Sequence, residues 1–252
     1  MGLLDETVSV PRRTMTLFFL IDTSGSMEGN KIGAVNDAVA NILPILADIS
    51  ESNPDAEIKV AALKFSSGVD WLYDEPKKAK DFIWQDVVAG GLTSLGEACQ
   101  ELASKLSRSG GFMQTASGSF APAIILLSDG GPTDDFHSGL KKLKDNNWFK
   151  AAIKIAIAIG SDADNNILKE FTGSSESVIT VHNIEALKQI IRVVAVTSSQ
   201  IGSKSSTAGD TTKQDQVVKD VHDAVNNIDG AESADNTSAS NVDSSQYLDD
   251  WG

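Results

Sequence analysis

Three short segments set small oxygen-bearing side chains beside glycine: Asp22-Thr23-Ser24-Gly25-Ser26, Gly91-Leu92-Thr93-Ser94 and Ser128-Asp129-Gly130. Between them, Asp22, Ser24, Ser26, Thr93 and Asp129 offer two carboxylates and three hydroxyls, with no His or Cys. Such a hard, all-oxygen donor set suits Mg²⁺, with Mn²⁺ and Ca²⁺ as alternatives. Because only two of the five are acidic, a bound ion would keep positive charge and an open place in its shell. It would draw an acidic oxygen from outside the chain. Taken alone, Asp22-x-Ser24-x-Ser26 reads equally well as a helix cap and turn. A cation site requires that all three segments meet.

The surrounding pattern supplies a reason for them to meet. Residues 16–21 form a near-continuous apolar run of strand length, the signature of a strand buried on both faces. Ile32, Val35, Val39, Ile42, Leu43 and Leu46 recur at helical spacing, and Pro44 should kink that helix or end it early. Further strands are expected at 58–65, 69–73, 121–127, 153–159 and 178–181. Helices are expected at 95–106, 140–144, 165–171 and 184–196, and a Gly/Ser-rich loop at 107–120. Alternating strands and helices imply an α/β fold: a doubly wound, mainly parallel central sheet with helices on both faces. The short turn at 66–68 allows one antiparallel edge strand. In such a sheet, loops at the carboxyl ends of the strands gather in one crevice. Each of the three segments follows a strand or opens a helix there.

Composition narrows the partners. The 252-residue chain carries a formal net charge of −14, which repels phosphate backbones, so nucleic acid is not an expected partner. The first residues lack a basic start followed by an apolar run, so no signal peptide is expected, and the apolar runs are too short to span a bilayer. One cysteine, Cys99, excludes an internal disulfide and fits a reducing compartment. The expected location is cytoplasmic. Cys99 lies within a helical pattern and reads as a buried apolar residue, and His137, His182 and His222 match no metal spacing. Asp134 and Asp135 read as helix-start residues.

Composition also divides the chain into an N-terminal arm (1–13), an α/β domain (14–200) and an acidic tail (201–252). From 202 onward there are ten acids against three bases, among Ser, Thr, Asn and Gly, the composition of disorder. A short amphipathic helix near 215–228, with Val217, Val218, Val221, Ala224, Val225 and Ile228 on one stripe, either docks back on the domain or folds against a partner. The terminal cluster Tyr247-Leu248-Asp249-Asp250-Trp251 is either a docking motif or an unconstrained end.

Asp22-x-Ser24-x-Ser26, then Thr93 before a helix, then Asp129 after a buried strand, resembles the metal-ion-dependent adhesion site of von Willebrand factor A (vWA) domains. The resemblance covers roughly 14–196 and implies a vWA/Rossmann-like fold. It implies a divalent cation on Asp22, Ser24, Ser26, Thr93 and Asp129, directly or through water, with a partner's Asp or Glu completing the shell. The segment Leu126-Leu127-Ser128-Asp129-Gly130-Gly131-Pro132-Thr133-Asp134 is more narrowly similar to the bacterial TerY/YegL-type branch, associated with tellurium resistance and stress response. That likeness implies a cytoplasmic scaffold working with kinase-like and phosphatase-like proteins; the oxygen set has no catalytic companion, so no enzyme activity is expected. Two other functions compete. A Mg²⁺-dependent phosphohydrolase would use Asp22 as nucleophile, but position 24 is Ser24 rather than a second Asp, and no P-loop or G-x-S-x-G motif is present. An extracellular adhesin would need export.

Overall fold

A computed structural model describes residues 11–115, 118–204, 212–234 and 251. Its core is one eight-stranded sheet. The strands are β1 (Arg13–Asp22), β2 (Ala56–Phe65), β3 (Val69–Trp71), β4 (Lys77–Lys78), β5 (Ala123–Ser128), β6 (Ile153–Ile159), β7 (Val178–Val181) and β8 (Ala231–Ser233), and their spatial order is β3-β2-β1-β5-β6-β7-β8, with β4 also on β2. β2, β1, β5, β6 and β7 run parallel, whereas β3 and β4 pair antiparallel with β2 and β8 antiparallel with β7. Both edges are therefore antiparallel, where the Ser66–Gly68 turn pointed only to one.

The apolar runs are continuous because the sheet is covered on both faces. Within β1, Met15, Leu17, Phe19 and Ile21 face one layer and Phe18 and Leu20 the other, all fully buried. The first layer is built by α1 (Asn30–Ser52), α6 (Ile184–Gly202) and α7 (Lys213–Val225). The second is built by α2 (Leu95–Lys105), α3 (Phe136–Asp145), the short α4 (Asn147–Ala151) and α5 (Asn165–Thr172). β6 and β7 match the sequence expectation residue for residue.

Pro44 neither kinks α1 sharply enough to split it nor ends it; the helix continues to Ser52. Pro44 and Ala40 are both exposed, so the missing bond lies on the solvent side of the helix, where it costs least. Among the described residues α1 is also the one helix long and apolar enough to cross a bilayer, with mean hydropathy 1.4. Here its apolar stripe, Ile32, Val35, Val39, Ile42, Leu43 and Leu46, packs on the sheet.

The acidic segment is not uniformly without structure. Thr212 and Asp215 form a reciprocal capping box that opens α7, and Val217, Val218, Val221 and Val225 are buried in the first layer. Gln214 fastens this helix to the start of β6, ahead of the stretch that pairs with β7: it accepts from the Lys154 N–H (2.7 Å) and donates to the Lys154 carbonyl (2.9 Å). β8 then pairs with β7, and Glu232 meets His182 at 3.1 Å. The valine stripe thus docks in cis; four buried valines outweigh the polar composition around them. Residues 1–10 of the N-terminal arm and 247–250 of the terminal cluster lie outside the described residues.

Candidate metal centre

β1 lies between β2 and β5, and the chain departs from it in opposite directions. The carboxyl ends of β1 and β5 are therefore neighbours at the switch point of the sheet. Their parallel register pairs Ile21 with Leu127, so the next residues, Asp22 and Ser128, lie side by side. The Ser128 hydroxyl donates to Asp22 Oδ2 (2.6 Å), and the Ser24 N–H donates to Asp22 Oδ1 (2.8 Å), closing a tight turn. Asp22 is fully buried. Burial pushes its carboxyl above the usual range; bonds from Ser128 and Ser24 pull it back, and the negative charge of Asp129 pushes it up again.

From this turn a chain of oxygens crosses the crevice. Ser24 Oγ lies 3.0 Å from Ser26 Oγ, and the Ser26 hydroxyl donates to Asp129 Oδ1 at 2.7 Å. Lys31 Nζ meets the other oxygen, Asp129 Oδ2, at 2.7 Å. The Asp129 side chain is wholly buried and that of Lys31 is 14 % exposed.

Thr93 is buried at the start of α2, and the backbone on both sides of it sets its position. The Gly90 N–H donates to the Thr23 carbonyl (2.8 Å), and the Gly25 N–H to the Gly91 carbonyl (3.1 Å), so the second segment lies against the first. The Thr133 N–H donates to the Thr93 carbonyl (2.9 Å) and the Thr93 N–H to Thr133 Oγ1 (3.0 Å), tying the second segment to the third. Gly91 has φ +88°, and a Cβ there would stand 2.5 Å from Ser67 Oγ; only glycine fits the crossing. Asp22 at the end of β1 and the loops that carry Ser24, Ser26, Thr93 and Asp129 thus meet at one end of the sheet.

Chemically this is a largely buried, hydroxyl-rich cluster with two carboxylates close enough to repel. Among the described residues no three His, Cys, Asp or Glu side chains gather as a metal cluster, so an ion here would depend on Ser and Thr oxygens. Two buried carboxylates beside aligned hydroxyls fit a hard divalent cation, which would offset their repulsion.

Asp134 and Asp135, read from the sequence as helix-start residues, both cap helices, while Ser128, Thr133 and Lys31 were not expected to contribute. Asp134 accepts from the N–H groups of Gly96 (2.9 Å) and Glu97 (2.8 Å) and so caps α2, whereas the Ser94 side chain makes no cap bond. Asp135 caps its own helix, α3, through Ser138 N–H. Ser128 and Thr133 carry no sequence signal beyond standing next to the motif. Lys31 carries one: it is the second residue of α1, where the helix dipole disfavours a cation. Cys99 is fully buried with its thiol pushed far up by burial, which removes it as a nucleophile. His137, His182 and His222 stand apart, against Glu170, Glu232 and the Glu176 carbonyl.

The sequence matches the family model of the von Willebrand factor type A domain over residues 16–193. Among solved structures, a von Willebrand factor type A protein from Catenulispora acidiphila is similar at 17 % identity and TM-score 0.56, over 74 % of this chain and 43 % of that one. Proximal thread matrix protein 1 from the mussel byssus, with a zinc-occupied MIDAS motif, is similar at 17 % identity and TM-score 0.56, over 75 % of this chain and 48 % of that one. The pilus adhesin SpaC from Lactobacillus rhamnosus GG is similar at 17 % identity and TM-score 0.57, over 71 % of this chain and 30 % of that one. The chain spans less than half the length of each. No curated protein is significantly similar in sequence. With 178 residues covered by the family model and the same fold in these structures, the chain belongs to the von Willebrand factor type A domain family.

Proposed function

We propose that this chain is a metal-dependent protein-binding module. A divalent cation, Mg²⁺ with Mn²⁺ or Ca²⁺ as alternatives, would be held by Asp22, Ser24, Ser26, Thr93 and Asp129. The ion would supply a positive, incompletely filled coordination shell to which a partner's Asp or Glu carboxylate binds. The observation that carries this is the hydrogen-bonded run from Asp22 through the Ser24 N–H and the Ser24 and Ser26 hydroxyls to Asp129, with Asp22, Ser24 and Asp129 buried. Domains of this family commonly serve in protein interaction or adhesion, and the zinc-occupied motif of the mussel protein supports a metal at this end of the sheet.

The protein residues have separable roles. Ser128 and the Ser24 N–H hold Asp22 in one orientation, Thr133 and Asp134 hold the Thr93 turn, and Ser26 orients Asp129. The phosphohydrolase alternative is weakened by the same geometry. Both oxygens of Asp22 accept hydrogen bonds and the side chain is fully buried, which suits it to hold an ion through a coordinating water but presents no oxygen for in-line attack on a substrate.

The likeness to the TerY/YegL-type branch supports a cytoplasmic scaffold role beside kinase-like or phosphatase-like proteins in a tellurium-resistance or stress complex. The test is capture of partner proteins on immobilised wild type, Asp22→Ala and Thr93→Ala, each with and without EDTA, read by mass spectrometry. Partners retained by wild type alone, and released by EDTA, are expected. Equal capture in all arms would remove the metal-bridged model, and turnover of a generic phosphate ester lost in Asp22→Ala would restore the enzyme alternative.

A further inference from the structure

Lys31 stands where local rules disfavour it. It is the second residue of a 23-residue helix, at the positive end of the dipole, and its first turn has no acidic residue to offset it. What holds it there is distant in sequence: Asp129 Oδ2, 2.7 Å from the ammonium and 98 positions away. The pair is largely withdrawn from water, so the contact is a defined one rather than a surface encounter. On its outer side the ammonium lies 5.6 Å from the centre of the Trp251 ring, and the adjacent Asn30 donates from Nδ2 to the Trp251 carbonyl at 2.6 Å. Lys31 therefore stands between a proposed metal ligand and the rim of the crevice.

We propose that Lys31 is a tethered competitor of the divalent ion, holding the oxygen of Asp129 that the ion needs. This rests on the metal reading given above and deepens it. Asp129 has only two oxygens: Oδ1 already takes the Ser26 hydroxyl and Oδ2 the ammonium. An incoming ion draws on Asp129 only by displacing one of these or by accepting a positive neighbour within a few ångströms, and both weaken its binding. Lys31 also cancels one of the two negative charges, Asp22 and Asp129, that would attract the ion. The same positive charge, displaced but still tethered, leaves the loaded site more attractive to an anionic partner. The domain would thus load its metal weakly and hold it best when a carboxylate arrives with it.

The experiment is calorimetric titration of Mn²⁺ and Mg²⁺, at one ionic strength, into the full chain as wild type, Lys31→Met, Lys31→Gln and Asp22→Ala. A thermal melt checks that each is folded. Both Lys31 variants are expected to bind Mn²⁺ about tenfold more tightly than wild type. Lys31→Gln keeps a polar group in place of the charge, so it separates electrostatics from packing. Unchanged or weaker binding by folded Lys31→Gln, with binding abolished in Asp22→Ala, overturns the competitor role and leaves the metal site standing. Binding that survives Asp22→Ala, or absent from every protein including the Lys31 variants, overturns the metal site itself and the competitor with it.

Discussion

The link between the α2 cap and the candidate metal centre makes a demanding test, since one side chain serves both. Asp134 takes two N–H groups at the start of α2, from Gly96 and Glu97, that no side chain of the preceding turn reaches. Asp134→Ala leaves both without a protein acceptor. Loss of a capping side chain costs about 0.5–2 kcal/mol. Here two bonds go to one charged, half-buried carboxylate, so the upper end applies, about 2 kcal/mol. For a domain of this size each kcal/mol moves the melting temperature by roughly 2–4 °C, so a fall of about 4–8 °C is expected by circular dichroism in EDTA. Thr93 sits two residues before the helix, and its turn is tied to the Asp134 segment through Thr133. Loosening that turn is expected to weaken Mn²⁺ binding about tenfold or more in a parallel titration. Asp134→Asn keeps an acceptor and should fall between. A melting temperature within 1 °C of wild type for Asp134→Ala would refute the capping role, and a lower melting temperature with unchanged Mn²⁺ affinity would refute the coupling to Thr93.

Three further outcomes follow from the same geometry. Gly139→Ala places a Cβ 2.0 Å from the Gly96 carbonyl oxygen, so α3 has to move off α2, at a cost of about 3 kcal/mol; an unchanged urea midpoint would contradict that close approach. Val221→Ala removes two methyl groups from a fully buried site under α7 and should cost about 2 kcal/mol by chemical denaturation, against near zero if this helix were detached from the domain. Asp22→Asn should raise the melting temperature at neutral pH in EDTA. Burial lifts the Asp22 carboxyl above its value of 3.8, so its ionisation costs stability as pH rises from 3.8 through the folded value. The gap between variant and wild type should widen over that window and then level off, and a variant less stable than wild type at pH 7 would contradict the sign.

What could be read from the sequence follows physical range. The strand ends that carry Asp22 and Asp129 were legible because a buried parallel strand writes its own apolar run and its carboxyl end is where loops collect. Pro44 misled because its cost depends on whether the orphaned Ala40 carbonyl meets water, which no local pattern states. The valine stripe showed α7 despite the polar composition after 201, but not where it docks, because its stability comes from burial against α6 and β6 rather than from its own propensity. Lys31 and Thr133 could not be assigned, and Asp134, read as a helix-start residue, could not be matched to α2, since their partners lie 98, 40 and 38 residues away. Only the mismatch of Lys31 with the helix dipole hinted that something elsewhere holds it.

The returning segment α7–β8 has a consequence for how the domain survives in solution. β7 is the last parallel strand, and without β8 its backbone donors and acceptors would form an open template for a neighbouring molecule. Three residues, Ala231, Glu232 and Ser233, close that template, and the negative Glu232 stands in the row, a poor surface for another strand to join. A version of this chain ending at 204 would keep every proposed cation ligand and yet present a bare rung of hydrogen-bonding groups beside a strip of uncovered apolar surface. Such a fragment is expected to self-associate as its concentration rises, whereas the 252-residue chain stays monodisperse at that edge.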